Sequence, residues 1–427
     1  MDDEDFSSAV YSKADLVFNG SGTINVNAGY RNGIKSTDDL KVVSGTFNIT
    51  SNEDGIIGKD LLGIKDGKFT IKSGSDGMKS TYDTDTSKGN IVITGGEFDI
   101  TASNDGVHCN GDILISGGNL TISSGDDGVH ADDNLQVDGG TIDIKKCCEG
   151  LEGVQITLNN GDISIVASDD GINAADGSSS SGMGMGGFGG GQNGGFGGGQ
   201  ASSSDSSVLL TINGGNIFVN AGGDGLDSNG NIVMNGGNVT VLGPTSDGDT
   251  ALDFDGAFTI NGGVLMAFGS SGMLETPTSA QNGCCIVTTL GTVSANSAFS
   301  LTDSSGNMIM SYTPTKNYAS AIVYSSDIKS GSTYTVTAGS TTQSITVNSN
   351  VTTNGVSGGF GGGQNGGFGG GQRGGQPGGS APDGNGSFGG GQRGGNQQGG
   401  NQQGGMPGGN SGNGRSNSAS SSTVNQV

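Results

Sequence analysis

The chain has 427 residues, 89 of them Gly, only 6 Pro and no Trp, with a formal net charge of −24 at pH 7. A field of that sign repels nucleic acid and anionic membrane and favours cations or a soluble extracellular setting; no apolar run approaches the roughly 20 residues of a membrane span. No stretch carries a helical apolar period, and short alternating runs bounded by Gly, Asn and Asp predict an all-β chain.

The opening Met1-Asp2-Asp3-Glu4-Asp5-Phe6 is not a signal peptide. Val10-Tyr11-Ser12-Lys13 already fits the register of a repeat, so the sequence is expected to begin inside a first coil, as a truncated or processed chain would. That repeat is Asp-Gly-(Ile/Val)-x-(Ala/Ser). It stands as Asn32-Gly33-Ile34-Lys35-Ser36, Asp54-Gly55-Ile56, Asp76-Gly77-Met78-Lys79-Ser80, Asp105-Gly106-Val107-His108-Cys109 and Asp127-Gly128-Val129-His130-Ala131. It continues as Glu149-Gly150-Leu151-Glu152-Gly153, Asp170-Gly171-Ile172-Asn173-Ala174 and Asp224-Gly225-Leu226-Asp227-Ser228, with a decayed copy at Ala251-Leu252-Asp253-Phe254. Successive starts lie 22, 22, 29, 22, 22, 21 and 54 residues apart, a fundamental period of 22. Such a period predicts a solenoid, whose repeats bury their apolar faces only by stacking.

Within the coil at 127–150, three short strands are predicted at 128–131, 134–137 and 141–144. Val129, Ala131, Leu135, Val137, Ile142 and Ile144 face in and His130 faces out. Gly-Gly pairs turn the chain at 95–96, 117–118, 139–140, 214–215, 236–237 and 262–263, because glycine accepts positive φ without steric cost. Three strands in about 22 residues predict a right-handed parallel β-helix of about ten coils over residues 1–284. The 29-residue spacing holds a small loop at 82–88, and the 54-residue spacing holds a Gly-rich insertion over about 177–207. Residues 285–350 alternate differently, at 298–301, 321–324, 334–336 and 344–347, and predict a small antiparallel β module that blunts the open end of the helix. Residues 351–427 form a Gly/Gln/Asn/Ser-rich tail. Insertion and tail are too poor in apolar residues to offset their ordering entropy, so both are expected to be disordered.

Four motifs carry a resemblance: Asn-Gly-Ile-Lys-Ser-x-Asp-Asp-Leu at 32–40, Asp-Gly-Met-Lys-Ser at 76–80, Glu-Gly-Leu-Glu-Gly at 149–153 and Asp-Asp-Gly-Ile-Asn-Ala at 169–174. Through them, residues from about 9 to 345 resemble clostridial and related bacterial cell-surface proteins titled carbohydrate-binding domain-containing. The resemblance implies a right-handed β-helix related in fold to pectate lyases, export to the cell surface and Ca²⁺ binding. It also implies affinity for cellulose or an acidic plant polysaccharide such as polygalacturonate, without cleavage.

The x of each repeat points outward. Stacked, this column reads Tyr11, Lys35, Ile57, Lys79, His108, His130, Glu152, Asn173, Asp227 and Asp253. A second column two residues on reads Thr37, Lys59, Thr81, Asn110, Asp132, Val154, Ala175, Asn229 and Asp255. Coils about 4.8 Å apart would offer a polysaccharide roughly one polar contact per sugar. Lys79, His108, Asn110, His130, Asp132, Glu152 and Asn173 are therefore the candidate carbohydrate-binding residues. Asp227, Asn229, Asp253 and Asp255 place three carboxylates and an amide oxygen at the corners of a small rectangle, the donor type Ca²⁺ takes, and Asp132 with Glu152 is a second candidate. The corner acids Asp76, Asp105, Asp127, Asp170 and Asp224 are expected to cap their own turns, and the doubled acids Asp126/Asp127 and Asp169/Asp170 leave a metal alternative, one carboxylate turning while the other ligates. A two-histidine transition-metal site at His108 and His130 lacks an evident third ligand.

The expected partner is a polysaccharide, met outside the cell by a monomer that neither binds nucleic acid nor inserts in a membrane. No catalytic residue is assigned. The principal rival is a Ca²⁺-dependent lyase, for which Lys79 is the one plausible base on this face, and a cell-surface spacer or adhesin is the third reading. Crystalline cellulose usually meets a flat aromatic strip, and the outward column offers only Tyr11. The five cysteines, Cys109, Cys147, Cys148, Cys284 and Cys285, show neither metal-ligand spacing nor a disulfide framework, and pairing between the two vicinal pairs stays open.

Overall fold

Alternation with period two, repeated three times per coil, closes a chain around one interior when each run becomes a strand. A computed structural model of the protein describes residues 7–82, 84–176 and 207–356. They form an all-β solenoid of about 11 turns with the 22-residue period, followed by a small antiparallel sheet. No helix occurs among the described residues. The insertion at 177–206 and the tail from 357 lie outside them.

Coils stack in parallel register. Val107, His108 and Cys109 pair with Val129, His130 and Ala131, which pair in turn with Leu151, Glu152 and Gly153. The first two strands of each coil line a 19-stranded sheet, and the third strands line one of 13. All six residues expected to face inward in the coil at 127–150 are fully buried. Burying each of the five larger side chains among them contributes about 1.5–3 kcal/mol. Phe47, Phe69 and Phe98 stack through the same interior with centroids 5.0 and 4.7 Å apart. One local expectation fails: strands one and two of this coil run on as a single strand, Val129–Val137. The preceding coil turns at Gly111, whereas Asp133 holds the equivalent place here and keeps the backbone extended.

The two kinds of glycine do different work. Gly140, second of its Gly-Gly pair, has φ of 92°, the left-handed conformation that its turn requires. Gly77, at an Asp-Gly corner, is needed for space instead: a Cβ there would lie 2.5 Å from the Gly106 carbonyl oxygen and 2.5 Å from Ile100 Cγ2. Gly77→Ala should therefore cost at least about 1–3 kcal/mol through forced separation of two coils. A thermal melt within a degree of wild type would refute that account.

At the C-terminal end the structure redistributes the expected module. Phe299–Asp303, Met308–Tyr312, Thr333–Ala338 and Thr341–Thr346 make the antiparallel four-stranded sheet. Tyr318–Ser325 does not join it. That strand lies antiparallel between Val264–Gly269 of the last coil and Cys284–Val293, and so covers the solenoid's open edge. Its alternate faces serve two cores, with Ile322 and Tyr324 in that of the solenoid and Ala321 and Val323 in that of the module. Val351–Asn354, placed by the sequence in the tail, pairs in parallel with Cys284–Val293. All five cysteines are free.

Candidate functional site

The outward positions form one column, as the repeat register requires. Lys79 pairs with His108, His108 with His130, His130 with Glu152, Glu152 with Asn173, Asn173 with Asp227 and Asp227 with Asp253. They do not stand on a freely solvated face. Side chains of Lys79, His108, His130 and Glu152 are only 18–24% exposed, and Asn173 is buried. This half-buried column, with the corner acids beside it, is termed the slot.

Of those corner acids, Asp76, Asp105, Asp170 and Asp224 reach across coils rather than capping their own turns, as Asp54 also does. Asp54 Oδ1 accepts the Asp76 amide N–H at 3.1 Å, Asp76 Oδ1 that of Asp105 at 3.2 Å, and Asp105 Oδ1 that of Asp127 at 3.0 Å. Asp170 and Asp224 do the same for Asp224 and Thr250, at 2.6 and 2.5 Å. At these five corners one carboxylate oxygen is thus structural. The other faces the column: Lys79 Nζ donates to Asp76 Oδ2 at 2.6 Å, and Asn173 Nδ2 donates to Glu149 Oε2 at 2.8 Å. The sequence placed these acids correctly but could not show where their second oxygen points.

Midway along the slot, His108 and His130 stack with centroids 4.9 Å apart and rings 15° from parallel. Asp132 Oδ1 lies 3.5 Å from Nε2 of each, and Asp132 Oδ2 accepts from Asn110 Nδ2 at 2.6 Å. These four predicted residues therefore do come together. Asp132 and Glu152, predicted as a Ca²⁺ pair, do not: Asp132 faces Nε2 of His130 and Glu152 faces its Nδ1, so the ring stands between them. Burial opposes charging His108, yet Asp132 and Asp76 outweigh it and push its pKa up to about 9. Burial also opposes charging His130, and Asp127 and Glu152 raise it in turn. Asp76 is desolvated, but the His108 imidazole 3.5 Å away and hydrogen bonds from Lys79 and Asn104 hold it well below the usual carboxylate range.

The C-terminal end of the slot is acidic, with Asp227 and Asp253 in the column. Burial, then the charge of Asp253, Asp170 and Asp224, pushes Asp227 up to about 9. Burial likewise lifts Asp170 and Asp224 to about 7, with neighbouring acids adding to it. Glu275 carries no signal in the sequence. It stands outside the repeat, accepts the Phe254 amide N–H at 3.2 Å, and is pushed up to about 8 by burial and by Asp253. Asp255 is exposed and Asn229 half-buried, so the predicted rectangle is joined from the buried side by Asp170, Asp224 and Glu275. Asn173 Oδ1 and Thr250 Oγ1, both buried, have no hydrogen-bond partner. These are hard oxygen donors, the type that Ca²⁺ takes, six to eight at a time at about 2.3–2.6 Å.

No curated protein and no solved structure matches this chain. A family model described as carbohydrate-binding domain-containing protein matches residues 1–187, a span that holds the column from Tyr11 to Asn173.

Proposed function

We propose that this protein is a non-catalytic polysaccharide-binding protein that works outside the cell. It would recognise an acidic plant cell-wall glycan along the slot from Lys79 to Asp227. The observation that carries this reading is the unbroken register of the column, which sets one polar side chain per coil at about 4.8 Å, close to the rise of one sugar. The similarity of residues 1–187 to a carbohydrate-binding family supports the same ligand class. Ca²⁺ would be held by Asp227 and Asp253, with Asn229, Asp255, Asp170, Asp224 and Glu275 around them, and would offset their repulsion beside an anionic ligand.

The lyase alternative fares worse on one specific ground. Lys79 donates to Asp76, and although burial opposes its charge the Asp76 partnership raises its pKa, so it stays protonated where a base must be neutral. A glycan-binding screen with and without Ca²⁺ tests the proposal. Retention on polygalacturonate should fall about tenfold or more when His108, His130 and Glu152 are together replaced by Ala. Unchanged retention in that variant, or release of unsaturated uronide by the wild type, would sink it.

A further inference from the structure

The Ca²⁺ reading leaves the two imidazoles unused, and their surroundings have a geometry of their own. His130 Nδ1 lies 3.3 Å from Asp127 Oδ2 and 3.4 Å from Glu152 Oε2. One donor atom from each of these three residues lies within 4.8 Å of the other two, and the same holds for Asp105, His108 and His130. Charge-assisted N–H···O bonds close to about 2.7–2.9 Å, so these separations are long for direct hydrogen bonds. They match something else: two ligand atoms on a tetrahedral ion, each bonded at about 2.0–2.1 Å, stand about 3.3–3.4 Å apart.

Two further observations agree. His108 Nδ1 is buried 3.4 Å from Asp105 Oδ2 and 3.5 Å from Asp76 Oδ2 and hydrogen-bonds to neither, a state that is costly for a polar atom unless something lies between them. On the other side of both rings, Asp132 Oδ1 lies 3.5 Å from each Nε2, the position from which a carboxylate commonly supports a metal-bound imidazole. A mixed imidazole and carboxylate set suits zinc-class ions, whereas Ca²⁺ prefers oxygen alone.

We infer that Asp127, His130 and Glu152 bind a divalent transition-metal ion of the zinc class, with His108 and Asp105 as the adjoining donors. This site is separate from the acidic end at Asp227, and it requires no glycan. The third ligand that the sequence lacks for its histidines comes from the corner acids, of which the doubled pair Asp126/Asp127 already offers a metal-ligand alternative in the sequence.

Metal-stripped full-length protein titrated with Co²⁺ tests this without any polysaccharide. One equivalent should produce the visible ligand-field bands of four-coordinate cobalt, which Zn²⁺ abolishes and an about hundredfold excess of Ca²⁺ leaves in place. His130→Gln and Glu152→Gln should each lose the bands while keeping the wild-type circular dichroism spectrum. The chain has only two histidines, so imidazole ¹⁵N spectra of the wild type give a second readout that needs no variant. The His130 Nδ1 signal should move with one equivalent of Zn²⁺. Absent bands, bands that survive in both variants, displacement by equimolar Ca²⁺ or imidazole signals unmoved by Zn²⁺ would each overturn the inference.

Discussion

Metal-stripped protein should melt at a temperature that falls by about 5 °C or more as pH rises from about 5 to about 8, and Ca²⁺ should restore the loss. The cause lies at the acidic end of the slot, where burial and neighbouring charge lift Asp170 and Asp224 to about 7, Glu275 to about 8 and Asp227 to about 9. A carboxyl with a folded pKa above its unfolded value holds its proton more tightly in the native state. Its ionisation therefore costs stability, progressively from near pH 4 up through the folded pKa. His108, raised to about 9, acts in the same direction, because its contribution is full below about 6.5 and is lost as pH climbs past the folded value. Asp76 acts oppositely, since its depressed pKa gives stability that is lost only as pH falls below about 4. A tenfold difference in proton affinity between the folded and unfolded chains is worth about 1.4 kcal/mol, but the acids interact and their contributions do not simply add. A ligand that binds only the folded state stabilises by mass action, so Ca²⁺ should raise the melting temperature strongly at pH 8 and little at pH 5. Asp227→Asn should separate the two effects, stabilising the stripped protein at pH 8 while weakening its response to Ca²⁺. With no Trp in the chain, calorimetry is the natural probe. A melting temperature that is flat or rising across this window would remove the basis for a cation at Asp227.

Most of the architecture was legible because it repeats. Inward aliphatics such as Leu135 and Ile144, the Gly-Gly turns and the outward column all follow from a period of 22 combined with an alternation of two. The departures lie where neighbours, rather than local pattern, decide. Tyr318–Ser325 alternates as an ordinary module strand would, yet it pairs with the last coil because that edge is otherwise open. Glu275 has no repeat partner to announce it and reaches the acidic cluster only through tertiary placement. For the site, the sequence puts His108, His130 and Glu152 on one face that its pattern alone presents as solvated. The corner acids stand beside the half-buried column, where burial and neighbouring acids raise the pKa of Glu152, Asp227 and Asp253. Burial opposes charging Lys79, His108 and His130, and neighbouring acids raise their pKa against it. A side chain's second oxygen has no sequence signature. It mattered most here.

Asp76 is the sharpest case. Its side chain is fully buried; Oδ1 accepts from the Asp105 amide at 3.2 Å and from Asn104 Nδ2 at 2.7 Å, and Oδ2 accepts from Lys79 Nζ. Asp76→Ala would leave a buried amide and a half-buried ammonium without their partner, so it should destabilise by about 3–5 kcal/mol. Asp66 supplies the contrast, an exposed aspartate that accepts only the N–H of the next residue, Gly67. Asp66→Ala should cost no more than about 1 kcal/mol. Asp76→Asn should fall between the two, because its amide oxygen can still accept from Asp105 while the charge opposite Lys79 is gone. The damage should also be local in a way a globular core would not allow, since each coil touches mainly its neighbours. Hydrogen exchange at Gly106 and Val107, whose amides pair with the following coil, should quicken in Asp76→Ala, while Leu226 and Ile232 keep wild-type protection. Equal destabilisation by the Asp66 and Asp76 substitutions would mean that the inter-coil carboxylate ladder contributes nothing. The repeat's Asp would then be retained for its turn or for the slot, and not for joining one coil to the next.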